Sequence, residues 1–157
     1  MPGGGELLSF RKLKQKDLYH VYQLDQLCFP QGIAYSFDGF LYFYFYIDHY
    51  SLVAEEDGGI VGFIIASIER NKTSQIITLD IHPYHRRRKI GSKLLSRVED
   101  HLISLGVKNV YLQVGINNIP AINLYKKCGF TEAKRLPKYY LNKIDALLMR
   151  KNLAEQS

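Results

Sequence analysis

The most evident chemistry in the sequence belongs to four consecutive cations that precede a glycine: Arg86, Arg87, Arg88 and Lys89. The run before them, residues 76–81, is apolar and rich in β-branched side chains, which predicts a strand. Pro83 ends that strand because proline cannot donate to a ladder. From Gly91 onward, apolar residues recur at helical spacing. A strand therefore passes through a basic turn into a helix, whose first N–H groups and neighbouring cations predict a phosphate cradle.

Length and composition restrict the class of protein. The 157 residues are 46% hydrophobic, which is enough for one domain with its own core. The apolar runs are too short to span a bilayer and residues 1–9 lack the regions of a signal peptide, so no membrane partner is expected. Two cysteines, Cys28 and Cys128, indicate no disulfide framework and favour a reducing, cytoplasmic location. The net charge of +6 favours an anionic partner, either a nucleic acid or a phosphorylated cofactor.

The chain as a whole reads as a mixed α/β domain. A Gly-rich lead, residues 1–6, is expected to be flexible, and residues 7–157 form the domain. Strands are predicted for residues 7–13, 50–55, 60–68, 76–82, 110–114 and 146–149, with a further strand starting at 130–133. Helices are predicted for residues 17–28, for the stretch from the basic turn to Gly106, and between Asn118 and Gly129. Residues 136–143 (LPKYYLNK) are predicted to form a loop.

Residues 37–47 (FDGFLYFYFYI) are ambiguous. Their tyrosines and phenylalanines alternate, and this period of two favours a strand. An aromatic helix of the same length is the alternative. Local pattern does not decide between the two.

The basic turn resembles the acyl-CoA pyrophosphate loop of the GNAT N-acetyltransferases, whose pattern is Q/R-x-x-G-x-G/A. Arg86 takes the first position and Gly91 the last, whereas Lys89 replaces the usual first glycine. Lysine keeps the backbone amide that would hold phosphate but loses the closest approach that glycine allows. The resemblance implies acetyl-CoA as the cofactor. Its pyrophosphate would lie on the residues of the turn and of the helix start: Arg86, Arg87, Arg88, Lys89, Ile90, Gly91 and Ser92.

A second motif, residues 112–130 (LQVGINNIPAINLYKKCGF), is similar to the second signature of the same family. Asn118 matches the asparagine that helps to hold the cofactor, and Tyr125 matches the tyrosine near the thiol. The family resemblance implies a GNAT fold, with a mixed, mostly antiparallel sheet splayed at its centre and about four flanking helices. The pantetheine would pair with strand backbone near Leu79 and Ile81. Tyr125 would give a proton to the departing thiolate.

Two further segments resemble protein N-α-acetyltransferases, including the ribosomal-protein alanine type. Residues 138–151 (KYYLNKIDALLMRK) match their paired-tyrosine loop and last strand, and residues 28–36 (CFPQGIAYS) match the opposite wall. The resemblance implies that the acceptor is the N-terminus of a protein or peptide, and that residues 37–47 form a helix. The acceptor would contact six mostly apolar residues: Phe29, Pro30, Ile33, Tyr35, Tyr139 and Tyr140.

GNAT enzymes often carry a glutamate on one of the two central strands to accept the proton of the amine. The matching positions here are Gln75 and Gln113. Their amides can hold a water but cannot act as a base. The resemblance implies no metal site, and the missing base predicts an α-amine as the acceptor, because roughly a tenth or more of it is already neutral at pH 7.

Each motif also has a purely structural interpretation. The basic run could be a solvated face or a nucleic-acid contact. Asn118 is sufficiently explained as a helix cap, Tyr125 as a core tyrosine, and the tyrosine pair as cover for a sheet edge. Three functions therefore remain open: the preferred N-α-acetyltransferase, with proximity to the ribosome; a GNAT enzyme for lysine or small amines; and a non-catalytic module that binds RNA or the ribosome.

Overall fold

Seven strands form one sheet in the order β1-β2-β3-β4-β5-β7-β6. The structure is a computed structural model that describes residues 7–86 and 88–156. The predictions for residues 1–6 and for Arg87 lie outside the described residues. The strands are β1 Leu8–Lys12, β2 His49–Glu56, β3 Gly59–Ser67, β4 Thr73–Ile81, β5 Asn109–Gly115, β6 Thr131–Tyr140 and β7 Ile144–Asn152. The α-helices are α1 Leu18–Cys28, α2 Phe37–Tyr46, α3 Ile90–Ser104 and α4 Ile119–Lys127.

The sheet is antiparallel except where its two halves meet. There β4 and β5 pair in parallel over only three residues, Thr73–Gln75 with Asn109–Tyr111. Beyond Gln75, β4 pairs only with β3 and β5 only with β7, so their facing edges have no common ladder. We call this junction the seam. The predicted fold, a mostly antiparallel sheet splayed at its centre with four flanking helices, is confirmed.

The helices bury one apolar core on each face of the sheet. Helices α1 and α2 cover a core that includes Val21, Phe40, Val53 and Phe63, all fully buried. The opposite face carries α3 and α4 over a larger core that includes Leu94, Leu102, Val110 and Met149. Within the part of the chain that the structure describes, no helix is long and apolar enough to cross a membrane.

Residues 37–46 form helix α2, as the family resemblance implied and against the period-two pattern. Ser36 caps the helix, because its hydroxyl accepts the amide of Gly39 at 3.0 Å. The helical turn brings Phe40 into the core at 0% exposure while Tyr46 on the other side is 80% exposed. An aromatic segment of this kind suits a helix of which one side packs on the sheet and the other is open to solvent.

The predicted loop over residues 136–143 is wrong. Strand β6 continues to Tyr140, and only residues 141–143 turn before β7 begins. The strand lies at the outer edge of the sheet, where Pro137 removes no ladder hydrogen bond. The pairing with β7 shifts register between Leu136 and Tyr140, and Lys138 there has a positive φ of 52°. Proline and a bulge on an edge strand therefore produced the false loop signal.

Candidate active site

The first turn of α3 presents free backbone donors. The first α-helical bond runs from the Lys93 amide to the Lys89 carbonyl at 3.1 Å, so the amides of Ile90, Gly91 and Ser92 have no acceptor within the helix. Lys89 is the N-cap, and its side chain makes no capping bond. Three outward amides at the positive end of a 15-residue helix form an anion site. The described part of the predicted phosphate cradle, residues 86 and 88–92, lies at this helix start.

Gly91 is needed for packing at the cradle. A Cβ built on this residue would lie 3.1 Å from Leu124 Cδ2 on α4 and 3.7 Å from Ile81 Cγ1 on β4. The absence of a side chain lets α3 approach both elements closely. Close packing of helix against strand and helix thus accounts for the glycine at this position.

The cationic side chains of the turn take two different directions. Arg86 donates from Nε to the Ile81 carbonyl at 3.3 Å and stays exposed. Arg88 makes a two-pronged ion pair with Glu56 on β2, and His85 Nε2 lies 3.4 Å from Glu56 Oε1. The Arg88 guanidinium lowers the pKa of Glu56 below its ordinary value. The contribution of these cations to cofactor binding remains a prediction.

Lys89 occupies the position where the family has its first glycine, and its backbone shows why glycine is favoured there. Its φ of 63° is left-handed, a conformation that costs a non-glycine residue about 1–2 kcal/mol. The structure thus locates strain where the sequence departs from the family.

Replacing Lys89 with glycine is expected to raise the free energy of unfolding by about 0.5 kcal/mol, because the strain removed exceeds the added chain entropy of glycine. Affinity for CoA should be equal or higher. Urea unfolding and calorimetric titration with CoA would measure the two effects. Lys93→Gly is the matched control: Lys93 is exposed inside α3, so glycine there should lower stability by about 1 kcal/mol. Equal losses in both variants would contradict the strained geometry.

The open edge of β4 lies beside the cradle. His82 donates its amide to Val61 on the β3 side at 2.8 Å. Since backbone groups alternate in direction along a strand, the amides of Ile81 and Leu79 point toward the seam. There they have no β5 partner, because the ladder with β5 ended at Gln75. Exposed strand donors and acceptors next to a phosphate site fit an extended chain of amides such as pantetheine.

Polar side chains close the seam at the point where the two strands part. Gln75 Nε2 donates to Gln113 Oε1 at 2.7 Å, which brings the two predicted central-strand positions into direct contact. The Tyr140 hydroxyl donates to the Gln113 carbonyl at 3.4 Å. At the same junction, the hydroxyl of Tyr111 on β5 donates to Glu69, which lies between β3 and β4, at 2.9–3.0 Å.

Helix α4 supplies the two other residues expected from the second motif. Asn118 caps the helix, with Oδ1 accepting the Ala121 amide at 3.3 Å, and its side-chain amide group makes no hydrogen bond among the described residues. Tyr125 is only 7% exposed and packs against Phe130 with ring centroids 5.8 Å apart. Burial raises the pKa of Tyr125 above its ordinary value, and the carboxyl of Asp80 acts in the same direction. The hydroxyl therefore keeps its proton at neutral pH and is a donor.

The two predicted walls of the acceptor site meet. We call residues 29–36 the acceptor wall. A Cβ on Gly32 would lie 2.4 Å from Leu141 Cδ2, so the acceptor wall touches the turn between β6 and β7, directly after Tyr139 and Tyr140. The rings of Tyr139 and Tyr140 pack edge to face with centroids 4.9 Å apart. The two segments that the resemblance assigned to opposite walls are therefore in contact in the fold.

A cavity of about 430 Å³ lies on the α2 face near the start of β4. It brings together Tyr35 from the acceptor wall and Gln75 from the seam. Its other lining residues come from α2, its C-terminal end and the strands β3 and β4: Phe43, Tyr46, Ile47, Asp48, Ser67, Ile68, Glu69 and Ile77. Phe29, Pro30, Ile33, Tyr139 and Tyr140 do not line it, so the cavity extends away from the predicted mouth.

The sequence did not reveal the partners of several polar residues near the site. Asp25 on α1 and Asp80 on β4 are fully buried carboxyls beneath the acceptor wall, and Glu56 is the partner of Arg88. Asp25 lies one helical turn after Val21, on the apolar face of α1, so a charge on that face was an available signal. No local pattern indicated that Asp80 would face it.

Comparison with known proteins agrees with this geometry. The family model described as the acetyltransferase (GNAT) family matches residues 18–130. The chain belongs to the GNAT family and is an acetyl-CoA-dependent acetyltransferase. An N-alpha-acetyltransferase of Sulfurisphaera tokodaii is 31% identical to it over 92% of this chain and 93% of that protein.

Two solved structures are similar along nearly the whole chain. Ard1 from Thermoplasma volcanium has a TM-score of 0.83 and 26% identity, covering 92% of this chain and 97% of that one. The ribosomal-protein-S18-alanine N-acetyltransferase from Escherichia coli has a TM-score of 0.84, with 23% identity and 94% of both chains covered. The resemblance inferred from the motifs is confirmed.

Proposed function

We propose that this enzyme transfers the acetyl group of acetyl-CoA to the N-terminal α-amine of a protein or peptide. The amine attacks the thioester directly, within a ternary complex of enzyme, acetyl-CoA and acceptor. The observation that carries the proposal is the Gln75–Gln113 contact at the seam. Two amides bonded to each other stand where a carboxylate base would serve a strongly basic amine. The 31% identity with a protein named N-alpha-acetyltransferase supports the same acceptor.

Acetyl-CoA supplies the acetyl group as a thioester. The amides of Ile90, Gly91 and Ser92 would hold its pyrophosphate, with Arg86 as a neighbouring cation. The backbone of Leu79 and Ile81 and the Asn118 side chain would align the rest of the molecule. Much of the rate would then come from positioning. A strand amide would polarise the carbonyl, and the Tyr125 hydroxyl would hold the proton that the departing thiolate needs.

The missing base separates the acceptor classes. An α-amine with a pKa of about 7.7–8.0 is neutral to roughly a tenth or more at pH 7, whereas a lysine at about 10.4 is neutral to only about 0.04%. A site that removes no proton before attack therefore favours the α-amine by about two orders of magnitude. Glu69 lines the cavity, but both its oxygens already accept from the Tyr111 hydroxyl, and one also accepts from Ser67.

The shape and charge of the acceptor region favour an uncharged N-terminus. The acceptor wall from Phe29 to Tyr35 carries no charged residue, and it faces the tyrosine pair. Asp48 and Glu69 line the adjoining cavity and would repel acidic residues. We therefore expect a peptide that begins with methionine and an apolar residue to react faster than one that begins with acidic residues.

The proposed partner is a finished or nascent protein chain in the cytoplasm. A net charge of +6 favours approach to an anionic assembly such as the ribosome. Membership of the GNAT family shows that the chain is an acetyltransferase, which excludes the alternative of a purely non-catalytic module that binds RNA or the ribosome. The lysine or small-amine alternative is decided by experiment.

The test is a panel of matched peptides assayed for acetylation at pH 7. One peptide has a free N-terminus and no lysine, one has a blocked N-terminus and one lysine, and spermidine represents small amines. The free N-terminus is expected to react about 100-fold faster than the lysine. Its rate should rise through roughly pH 7–8.5 as the α-amine loses its proton.

A blocked peptide or spermidine that reacts fastest would contradict the proposed acceptor. An acidic limb near pH 5–6 that persists when the amine pKa is changed would show a base in the enzyme. The variants Asp80→Asn, Glu69→Gln and His82→Gln would then identify that base by the loss of the limb.

A further inference from the structure

Two carboxyl groups face each other under the acceptor wall and have no part in the mechanism above. Asp25 on α1 is 0% exposed and Asp80 on β4 is 1% exposed. Asp25 Oδ2 accepts the Tyr35 amide at 2.7 Å, and Asp80 Oδ1 accepts the Thr78 hydroxyl. The second oxygen of each, Asp25 Oδ1 and Asp80 Oδ2, is buried without a hydrogen-bond partner among the described residues.

Such a pair is held together by a proton. Two carboxylates in contact away from water cannot both ionise, whereas one proton between them gives an orphaned oxygen a donor. Burial raises the pKa of both groups, and the neighbouring Asp25 raises the pKa of Asp80 further, to well above its ordinary value.

The groups around the pair leave this proton in place. Burial raises the pKa of Cys28 to about 11 and that of Tyr35 to about 12, so both stay neutral at physiological pH. Tyr125 from α4 also stays neutral, because burial raises its pKa as well. Arg86 from the basic turn is the cation that opposes the shift, and it acts on Asp80 from an exposed position.

The pair joins the acceptor side of the site to the cofactor side. Through the Tyr35 amide, Asp25 fixes the end of the acceptor wall. The Tyr35 hydroxyl reaches the Ile77 carbonyl at 3.5 Å, and Cys28 Sγ reaches the Ile81 carbonyl at 3.4 Å. The last two contacts end on β4, the strand whose open edge faces the seam. The Asp25–Asp80 pair is thus a third polar link between the wall and β4, beside these two contacts.

We propose that Asp25 and Asp80 share one proton and thereby latch the acceptor wall onto β4, so that the wall loosens and acceptor binding weakens when that proton is lost. The two residues are positioning residues, since neither reaches solvent. The part of this inference that concerns acceptor binding rests on the proposed function, which identifies the acceptor as a peptide. The contact between the wall and β4 does not. Because the folded state holds the proton more tightly than the unfolded chain, its stabilising effect is present at low pH and is lost as pH rises through the pKa of the pair.

The direct test is hydrogen exchange of residues 29–36 between pH 5 and pH 9, corrected for the intrinsic exchange rate. In the native protein, exchange should accelerate by up to tenfold per pH unit as opening releases the shared proton, and it should level off above the pKa of the pair. Asp25→Asn should abolish this dependence, because its amide oxygen can accept from Tyr35 while its NH2 group donates to Asp80 at every pH. Asp25→Ala should exchange fast at every pH, since it leaves the Tyr35 amide unpaired.

Two further variants keep the test decisive. Asp80→Asn is the mirror substitution and should also remove the pH dependence, which covers the case in which Asp25→Asn does not fold. Glu99→Gln removes another buried acid, on α3, and should leave the pH dependence of residues 29–36 unchanged. Native exchange that is flat with pH, or an unchanged slope in both asparagine variants, would overturn the latch.

Binding of the N-acetylated product peptide, which has no titrating amine, forms the second arm. Its Kd should rise about tenfold per pH unit in the native enzyme and stay constant in Asp25→Asn. Exchange that follows the prediction while this Kd does not change would retain the latch but overturn its link to acceptor binding, and with it the proposed peptide site.

Discussion

Replacing Tyr125, the proposed general acid, with phenylalanine is expected to lower kcat by about 100-fold to 1,000-fold, within the range for loss of general acid–base catalysis. The tyrosine is buried beside Phe130, and its hydroxyl makes no hydrogen bond with any described residue. Phenylalanine should therefore leave the free energy of unfolding and the Kd of acetyl-CoA nearly unchanged. Steady-state kinetics, urea unfolding and calorimetry on the same preparation would separate these effects.

Gln113→Ala is the matched comparison within the seam. It breaks the contact with Gln75 and removes a water holder, but it removes no proton donor. We expect its kcat to fall less than tenfold. If the two variants lose activity equally, Tyr125 acts in packing and the thiolate obtains its proton from elsewhere.

Replacing Lys151 with alanine should produce the largest loss of stability, about 3 kcal/mol in the free energy of unfolding. Lys151 on β7 is 9% exposed and donates from Nζ to Glu99 Oε1 on α3 at 2.8 Å. Its loss leaves a buried carboxylate without a partner. Burial already raises the pKa of Glu99 although Lys151 opposes the shift, and the variant should raise this pKa further. A Glu99 pKa that is higher in the folded variant than in the unfolded chain stabilises the fold at low pH, and this contribution is lost as pH rises. The loss of unfolding free energy in Lys151→Ala should therefore grow from pH 5 to pH 8.

An exposed ion pair of the same chemistry supplies the control. Lys126 and Glu132 lie 3.5 Å apart with about half of each side chain exposed, so Lys126→Ala should cost less than about 0.5 kcal/mol. A double variant, Glu99→Leu with Lys151→Met, should recover most of the stability because it leaves no buried charge. A Lys151→Ala loss equal to that of Lys126→Ala would show that water reaches Glu99.

Sequence reasoning worked where the constraint is local. The basic turn, the helix after it and the Asn118 cap depend on residues close together in the chain, and each lies where it was expected. Helix α2 required the family resemblance, because a period of two describes its aromatics as well as a half-buried helix does. The start of strand β6 was predicted, but its second half was assigned to a loop because its pairing with β7 overrides the turn signal of Pro137.

The contacts that sequence did not reveal are long-range and polar. Asp25 and Asp80 lie on α1 and β4, and Arg88 finds Glu56 on β2; no periodicity encodes such pairs. A carboxyl on an apolar face signals only that something must satisfy it. Which residue does so depends on how the helices lie on the sheet.

The three-residue ladder between β4 and β5 has a consequence for the life of the protein in the cell. Beyond Gln75, the edge of β4 that faces β5 has no strand partner among the described residues. A ligand whose amides pair with this edge would supply hydrogen bonds that the sheet itself does not make. Such a ligand would raise the free energy of unfolding by about 2.7 kcal/mol at a ligand concentration of a hundred times the dissociation constant. More of the protein would then be folded. The abundance of this protein would thus respond to the supply of its acetyl donor, so that a starved cell would hold less of the enzyme as well as less of its substrate.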